Sequence, residues 1–427
     1  MPLLEKTICV PGSKSITQRA LVTAALGQGT STIVGPLRSE DPLLLKDALV
    51  ALGCNIEEKG DDWVINGTGG NFAPAQGKCS IFMGNNGTGI RFLTAVVCLL
   101  EKGPEIELTC TKRMEARPIE SLLQALRAMG ANVKSKFNTG CPPVVIVPDG
   151  SFKGGDVTID ASKSSQYLSA LLLIAPYTKI PTRISLVGPL ASSPYLKITL
   201  SVMEAFGIKV EEDSGAFLVP QGSYRAREFQ IEGDASSASY FFAGAAITGS
   251  SVTVENLPQD SIQGDARFVD LLEKMGCTVM RSQKGTTVVG PSVGGLKGVE
   301  VSMKDMPDMV PTLAAIAPFA NGTTVIKDCP HLRIKETDRL AAMATELARL
   351  GADVEELDDG LIIRGGKGLR PSRIKTYDDH RIAMSFAVVG LKVKGLEIED
   401  PSCVKKSFPG FWELWDKTFL EVLSVEF

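Results

Sequence analysis

Residues 7–66 read TICVPGSKSITQRALVTAALGQGTSTIVGPLRSEDPLLLKDALVALGCNIEEKGDDWVIN, and the punctuation of this stretch decides the fold. Thr7 to Val10 reads as a strand and Pro11-Gly12 as a turn. Ser15 to Ala25 reads as a helix, because its apolar residues recur every three or four positions. Gly27 and Gly29 end it, and the short β-branched run Ser31 to Val34 predicts a second strand. Asp41 is placed to cap another helix with Pro42 at its first position. That helix runs Leu43 to Leu52, with Gly53 supplying a left-handed stop. Asn55 to Glu58 and Trp63 to Asn66 then form a strand pair around Lys59-Gly60-Asp61. The unit is β-α-β-α-β-β.

Working outward, the chain repeats this unit six times. Small or polar residues open an apolar helix-like run at Ser13, Gly87, Ser164, Ser236, Asp308 and Asp379, spaced 74, 77, 72, 72 and 71 residues apart. A second landmark, an apolar residue followed by Gly, closes a later helix at Leu52-Gly53, Met129-Gly130, Phe206-Gly207, Met275-Gly276 and Leu350-Gly351; the sixth block lacks it. Self-similarity at a constant period marks a repeat architecture. Three such units offer enough apolar faces to enclose one core. Six therefore predict two pseudo-threefold α/β domains of roughly 200 residues each.

Composition is that of a globular chain. An apolar content of 44% and a charged content of 22% exclude a disordered protein, and the longest apolar run, near Leu168 to Ala175, is too short to span a bilayer. The start Met1-Pro2-Leu3-Leu4-Glu5 carries neither a basic segment nor an apolar signal core, so a cytoplasmic location is expected. Nine cysteines without a C-x-x-C pair predict reduced thiols rather than disulfides or a metal site. A net charge of −4 argues against a nucleic-acid partner, and any anionic ligand must be held by local cations.

Such cations stand beside the six helix starts. A helix N-terminus presents unpaired N–H groups and about half a positive charge, which suits phosphate and carboxylate. Around these starts lie Ser13-Lys14-Ser15, Asn85-Asn86-Gly87-Thr88, Ser164-Ser165-Gln166, Ser236-Ser237, Asp308 and Asp379-His380-Arg381. Lys14, Arg91, Arg117, Lys335, Arg339, Arg381 and Lys406 flank the starts or adjacent turns. For a single Ser or Asp the plainer reading is an N-cap. Taken alone, Lys335, Glu336, Asp338 and Arg339 read more readily as an ordinary charged first helical turn. Gly12-Ser13-Lys14-Ser15 lacks the upstream glycine of a nucleotide-binding P-loop.

Taken together, the motifs carry a resemblance over nearly the whole chain. Val10-Pro11-Gly12-Ser13-Lys14-Ser15 with Arg19, Gly84-Asn85-Asn86-Gly87-Thr88 with Arg91, Arg117-Pro118-Ile119, Ser164-Ser165-Gln166, Glu232-Gly233-Asp234-Ala235-Ser236-Ser237-Ala238, Arg333-Ile334-Lys335-Glu336-Thr337-Asp338-Arg339 and Asp379-His380-Arg381 resemble, in order, the 3-phosphoshikimate 1-carboxyvinyltransferase (EPSP synthase) family. The resemblance implies two inside-out α/β domains of three repeats each, with the active site in the cleft between them. It places 1–11 with 233–427 in one domain and 12–232 in the other. The implied reaction moves the enolpyruvyl group of phosphoenolpyruvate to the 5-hydroxyl of shikimate 3-phosphate and releases phosphate, by addition and elimination through a tetrahedral intermediate. It belongs to chorismate and aromatic amino-acid biosynthesis. No metal or cofactor is implied, and the chain is expected to act as a monomer on small molecules.

By the same resemblance, Lys14, Ser15, Arg19, Ser164, Ser165, Gln166, Ser192, Asp308 and Lys335 bind shikimate 3-phosphate. Lys14, Gly87, Arg117, Gln166, Arg339, Arg381 and Lys406 bind phosphoenolpyruvate, and Lys14, Asp308 and Glu336 stand nearest the chemistry. Two polyanions repel, and Arg forks offset that repulsion with bidentate contacts. The sequence leaves open which carboxylate moves which proton. His380 is expected near the ligand and His331 at a structural or peripheral position. Phe92, Asn86 and His331 depart from residues familiar in the family. Two rival readings are the sister transferase acting on UDP-N-acetylglucosamine and a non-catalytic anion-binding repeat protein. Lys335 to Arg339 and Ser164-Ser165-Gln166 argue against the first, and carboxylates among so many cations against the second.

Overall fold

The computed structural model describes residues 5–74, 77 and 79–420. Its contacts divide the chain into two compact units, Gly12–Ile231 and Met1–Pro11 with Glu232–Phe427. Glu232 thus falls with the later unit rather than with 12–232, and its carboxylate accepts a hydrogen bond there from the Ile262 amide at 3.3 Å.

In the unit Gly12–Ile231 each repeat builds one four-stranded sheet. The orders are Glu228–Gln230, Gln28–Val34, Asp62–Thr68, Asn55–Lys59; Cys79–Phe82, Ile106–Thr109, Val144–Ile146, Val133–Ser135; and Gly154–Asp160, Ile180–Val187, Ala216–Val219, Glu211–Asp213. In every sheet the first two strands are parallel and the rest antiparallel. A parallel pair needs a crossover, and in the second and third repeats an inner helix supplies it. The first sheet is closed by a strand from the far end of the unit. Glu5–Ile8 instead pairs in parallel with Ser251–Val254 in the later unit.

The later unit follows the same plan. Ser251–Val254 continues to Gly285–Val289 and Thr278–Ser282, and the next sheet orders Glu300–Ser302, Thr323–Lys327, Gly360–Arg364, Asp353–Leu357. The sixth repeat pairs Arg373–Ile374 with Glu397–Ile398, in parallel.

Helices occupy the centre of each unit because the inner ones are apolar on every side. Ala235–Thr248 reads ASSASYFFAGAAIT and is buried from Ala235 through Ile247, and Gly87–Val97 and His380–Gly390 are buried almost as completely. A helix without a polar face must be enclosed. Ala235–Thr248, Val310–Ile316 and His380–Gly390 pack against one another, and Gly87–Val97 lies against both Lys14–Leu26 and Gln166–Ile174. The sheets cover them with one face and meet solvent with the other, as the alternation in Gly154–Asp160 shows. The five landmark glycines, Gly53, Gly130, Gly207, Gly276 and Gly351, all have φ between 89 and 106°, the left-handed stop their position predicts.

One cap differs from expectation. The second helix starts at Glu40 with Ser39 at the N-cap position, which puts Asp41 inside the first turn. Its buried carboxylate instead lies 3.3 Å from Lys14 Nζ.

Candidate active site

The site residues fall into two sets, one in each unit. In the later unit, the turn before His380–Gly390 holds Tyr377 and Asp378 at φ 56 and 55°, a left-handed conformation costing about 1–3 kcal/mol per non-glycine residue. Buried Glu346 offsets it by accepting from Tyr377 Oη at 2.7 Å and from the Lys375 amide at 3.2 Å. The turn delivers Asp379, whose Oδ1 caps the helix by accepting from the Arg381 amide at 2.9 Å.

Arg339 opens the helix Arg339–Arg349 and is almost completely buried. Its Nε donates to Asp379 Oδ2 at 2.8 Å, Nη1 to Asp308 Oδ1 at 2.9 Å and Nη2 to Glu336 Oε2 at 2.9 Å. Arg381 Nη2 donates to the other Asp308 oxygen at 2.6 Å and to Ser236 Oγ at 3.3 Å, and Ser236 Oγ donates to Asp265 Oδ2 at 2.6 Å. One planar cation therefore ties Asp308 and Glu336 together, and a second holds Asp308 from another side. Asp308 lies within the 3-10 segment Pro307–Met309, and Met309 occupies the N-cap position of Val310–Ile316. Burial alone would raise the Asp308 pKa, but Arg381, Arg339 and Lys335 outweigh it and hold the carboxyl well below the usual range. Asp265 is the opposite case, pushed up to about 6 by burial and then by the Asp308 charge.

His331 is not peripheral electrostatically: burial and then Lys335 push it down to about 4, while the Asp308 charge pulls the other way. His380 is buried, with Nδ1 3.6 Å from Asp379 Oδ1. Lys406 is buried on the turn Pro401–Lys406, which packs on His380–Gly390.

In the unit Gly12–Ile231, Asn86 caps Gly87–Val97 by accepting from the Gly89 amide at 2.7 Å and donates to the Asp41 carbonyl at 2.6 Å. The cap is thus one residue before Gly87, whose own role is steric. A Cβ there would lie 2.7 Å from Arg117 Nη2 and 2.9 Å from Arg91 Nη1. Arg117 Nη1 donates to the Asn85 carbonyl and side-chain oxygens, each at 3.2 Å. Arg91 donates to Gln166 Oε1 at 2.5 Å and to the Pro118 carbonyl at 2.7 Å, and Gln166 Nε2 reaches Thr88 Oγ1 at 2.9 Å. Gly87, Arg117 and Gln166 therefore form one patch.

A second patch surrounds Arg19, which donates to Thr199 Oγ1 at 2.7 Å and to the Ser15 carbonyl at 2.9 Å. Burial lowers its pKa to about 10, which leaves it charged at neutral pH. Ser164 Oγ accepts from the Gln166 amide at 3.3 Å beside the buried N-cap residue Ser165. Ser192, at φ 55°, precedes the helix Ser193–Ala205 in a left-handed conformation.

Sequence reading missed Asp265, Asp41 as the Lys14 partner, and the Thr199–Ser169 pair behind Arg19. A signal for some contacts existed in the period. Asp308–Arg381 and Arg91–Gln166 are separated by 73 and 75 residues, and Ser236–Arg381 and Arg19–Ser169 by 145 and 150, close to one and two repeats. Overlaying the repeats brings these partners to equivalent helix starts.

Repeats wrapped around inner helices, with cations and carboxylates gathered at their starts, define a class of α/β scaffold suited to small anions. A family model described as EPSP synthase (3-phosphoshikimate 1-carboxyvinyltransferase) matches residues 2–415. The chain is 43% identical over 413 residues to the 3-phosphoshikimate 1-carboxyvinyltransferase of Trichormus variabilis, covering 96% of this chain and 95% of that protein. It is 41% identical over 424 residues to the chloroplastic enzyme of Arabidopsis thaliana, covering 96% of this chain and 82% of the relative. A solved structure of EPSP synthase from Acinetobacter baumannii superposes with a TM-score of 0.80 at 30% identity, over 98% of this chain and 96% of that one. The chain belongs to the EPSP synthase family.

Proposed function

We propose that the chain performs the reaction of its family, transferring the enolpyruvyl group of phosphoenolpyruvate to the 5-hydroxyl of shikimate 3-phosphate with release of phosphate. The observation that carries this reading is the half-buried cluster in which Arg339 joins Asp308 to Glu336 while Arg381 takes the second oxygen of Asp308. Anion binding alone asks only for cations. Two carboxylates held among them are what a reaction with two proton transfers requires.

In this reading Lys14, Ser15, Arg19, Ser164, Ser165, Gln166, Ser192, Asp308 and Lys335 serve shikimate 3-phosphate. Lys14, Gly87, Arg117, Gln166, Arg339, Arg381 and Lys406 serve phosphoenolpyruvate. Asp308, ionised at neutral pH, takes the proton of the attacking hydroxyl, and Glu336 handles the methylene proton. Gripped by two guanidiniums, Asp308 is a weak base. An incoming phosphate and carboxylate would share Arg339 and Arg381, relax that grip and raise its basicity once substrate is present.

The reaction is placed in the cytoplasm, with the chain acting as a monomer. All nine cysteines are free thiols, in keeping with a reducing compartment. Among the described residues no helix is long and apolar enough to cross a membrane. The test is phosphate release from the purified protein. It should require phosphoenolpyruvate and shikimate 3-phosphate together, and UDP-N-acetylglucosamine should not replace the latter. Absence of phosphate with the named pair would reject the reading.

A further inference from the structure

Behind Arg381 lies a carboxylate that the proposed reaction does not use. Asp265 sits in the short 3-10 segment Gly264–Arg267 and is buried. Gln263 bolts this segment to the start of the helix Ala235–Thr248 at two points. Its Oε1 accepts from the Ala235 amide at 3.1 Å, and its Nε2 donates to the Gly233 carbonyl at 2.7 Å. So positioned, Asp265 Oδ2 accepts the Ser236 hydroxyl proton at 2.6 Å.

The consequence follows from counting donors. A serine hydroxyl has one proton and two lone pairs, whereas an ionised carboxylate only accepts. With its proton committed to Asp265, Ser236 Oγ can only accept from Arg381 Nη2, 3.3 Å away. Nη2 carries two protons, and the other goes to Asp308 Oδ2 at 2.6 Å. Without Asp265 the hydroxyl is free to swing its proton toward the guanidinium, which can only donate.

We infer that Asp265 is a positioning residue for phosphoenolpyruvate binding, acting through Ser236 to hold the Arg381 guanidinium in register with Asp308. The inference rests on the assignment of Arg381 to phosphoenolpyruvate made above. A carboxylate enclosed beside Asp308 and Asp234, with its pKa pushed up by burial and by the Asp308 charge, is costly to keep in a core. Its bond to Ser236 gives it a use there.

Steady-state kinetics of Ser236→Ala, Asp265→Ala and the double variant test this, with Arg381→Lys as reference. Each single variant should raise KM for phosphoenolpyruvate about tenfold, the loss expected for one hydrogen bond to a charged group. KM for shikimate 3-phosphate should stay within about twofold of the parent, a split that general loosening of the fold would not give. The double variant should be no worse than either single one, because Asp265 acts only through the hydroxyl. Additive effects, or equal rises for both substrates, would overturn the inference. If Asp265→Ala does not fold, Ser236→Ala decides alone, since it removes one oxygen, and an unchanged KM for phosphoenolpyruvate would be fatal. A normal KM in Arg381→Lys would overturn the assignment of Arg381 itself, and this inference with it.

Discussion

The two sets of site residues hold their arginines differently. Within the unit Gly12–Ile231, Arg19, Arg91 and Arg117 donate to carbonyl, amide and hydroxyl oxygens, as in Arg91 to Pro118 and Arg117 to Asn85. In the later unit Arg339 donates to Asp379, Asp308 and Glu336, and Arg381 to Asp308. Neutral acceptors orient a guanidinium. Carboxylates compensate the charge and add groups that can move protons. Under the proposed function this difference is a division of labour, in which the first set grips anions and the second also moves protons.

The sharpest way to break this division is Asp308→Asn. If Asp308 is the proton acceptor, turnover should fall by about 10² to 10⁴, as for loss of a general base. Because Asp308 pairs with two arginines, the change should also lower stability, by about 1–3 kcal/mol. Single-turnover rates beside a thermal melt separate the two effects. Near-parental turnover would move the base role to Glu336.

Gly87→Ala probes the gripping set. The atoms nearest the added methyl are the flexible ends of Arg117 and Arg91, at 2.7 and 2.9 Å, so the fold should survive while the guanidiniums shift. KM for phosphoenolpyruvate should rise by about 10- to 100-fold, as displaced binding groups cost, with a melting temperature close to the parent's. An unchanged KM would remove Gly87 and Arg117 from the site.

The smallest expected effect is on stability against pH. Asp308 has a depressed folded pKa, so its contribution is fully present above the unfolded value near 3.9 and constant through neutral pH. Asp265 has a raised one, about 6, so the folded state binds the extra proton between the two values. The parent should therefore lose roughly 1–3 kcal/mol as pH rises from about 4 to 6, and Asp265→Asn should not show that loss. Parallel stability curves for parent and variant across this window would show that Asp265 is not perturbed as described.

Local signals made much of this molecule legible. The strand Gln28–Val34, the helix Lys14–Leu26 and the five glycine stops all follow from periodicity and turn chemistry within a few residues. Motif order brought forward Lys14, Arg117, Asp308, Glu336, Arg339 and Arg381. Asp41 reads as a cap because a carboxylate just before Pro42 has that form, and nothing local reveals that Lys14, 27 positions earlier, lies beside it. Asp308 carried the same ambiguity.

The sequence by itself determined the six-fold repeat, the strand and helix order within it, and the residue types gathered at the helix starts. All of these rest on interactions between near neighbours in the chain. Long-range packing settles which carboxylate meets which guanidinium, that Asp265 stands behind Ser236, and which strand of the later unit Glu5–Ile8 pairs with. Those choices depend on packing whole repeats around shared buried helices, where partners 73 or 145 residues apart meet at close range. A buried charge takes its pKa from whatever that packing sets beside it, so charge state was the last property to become readable.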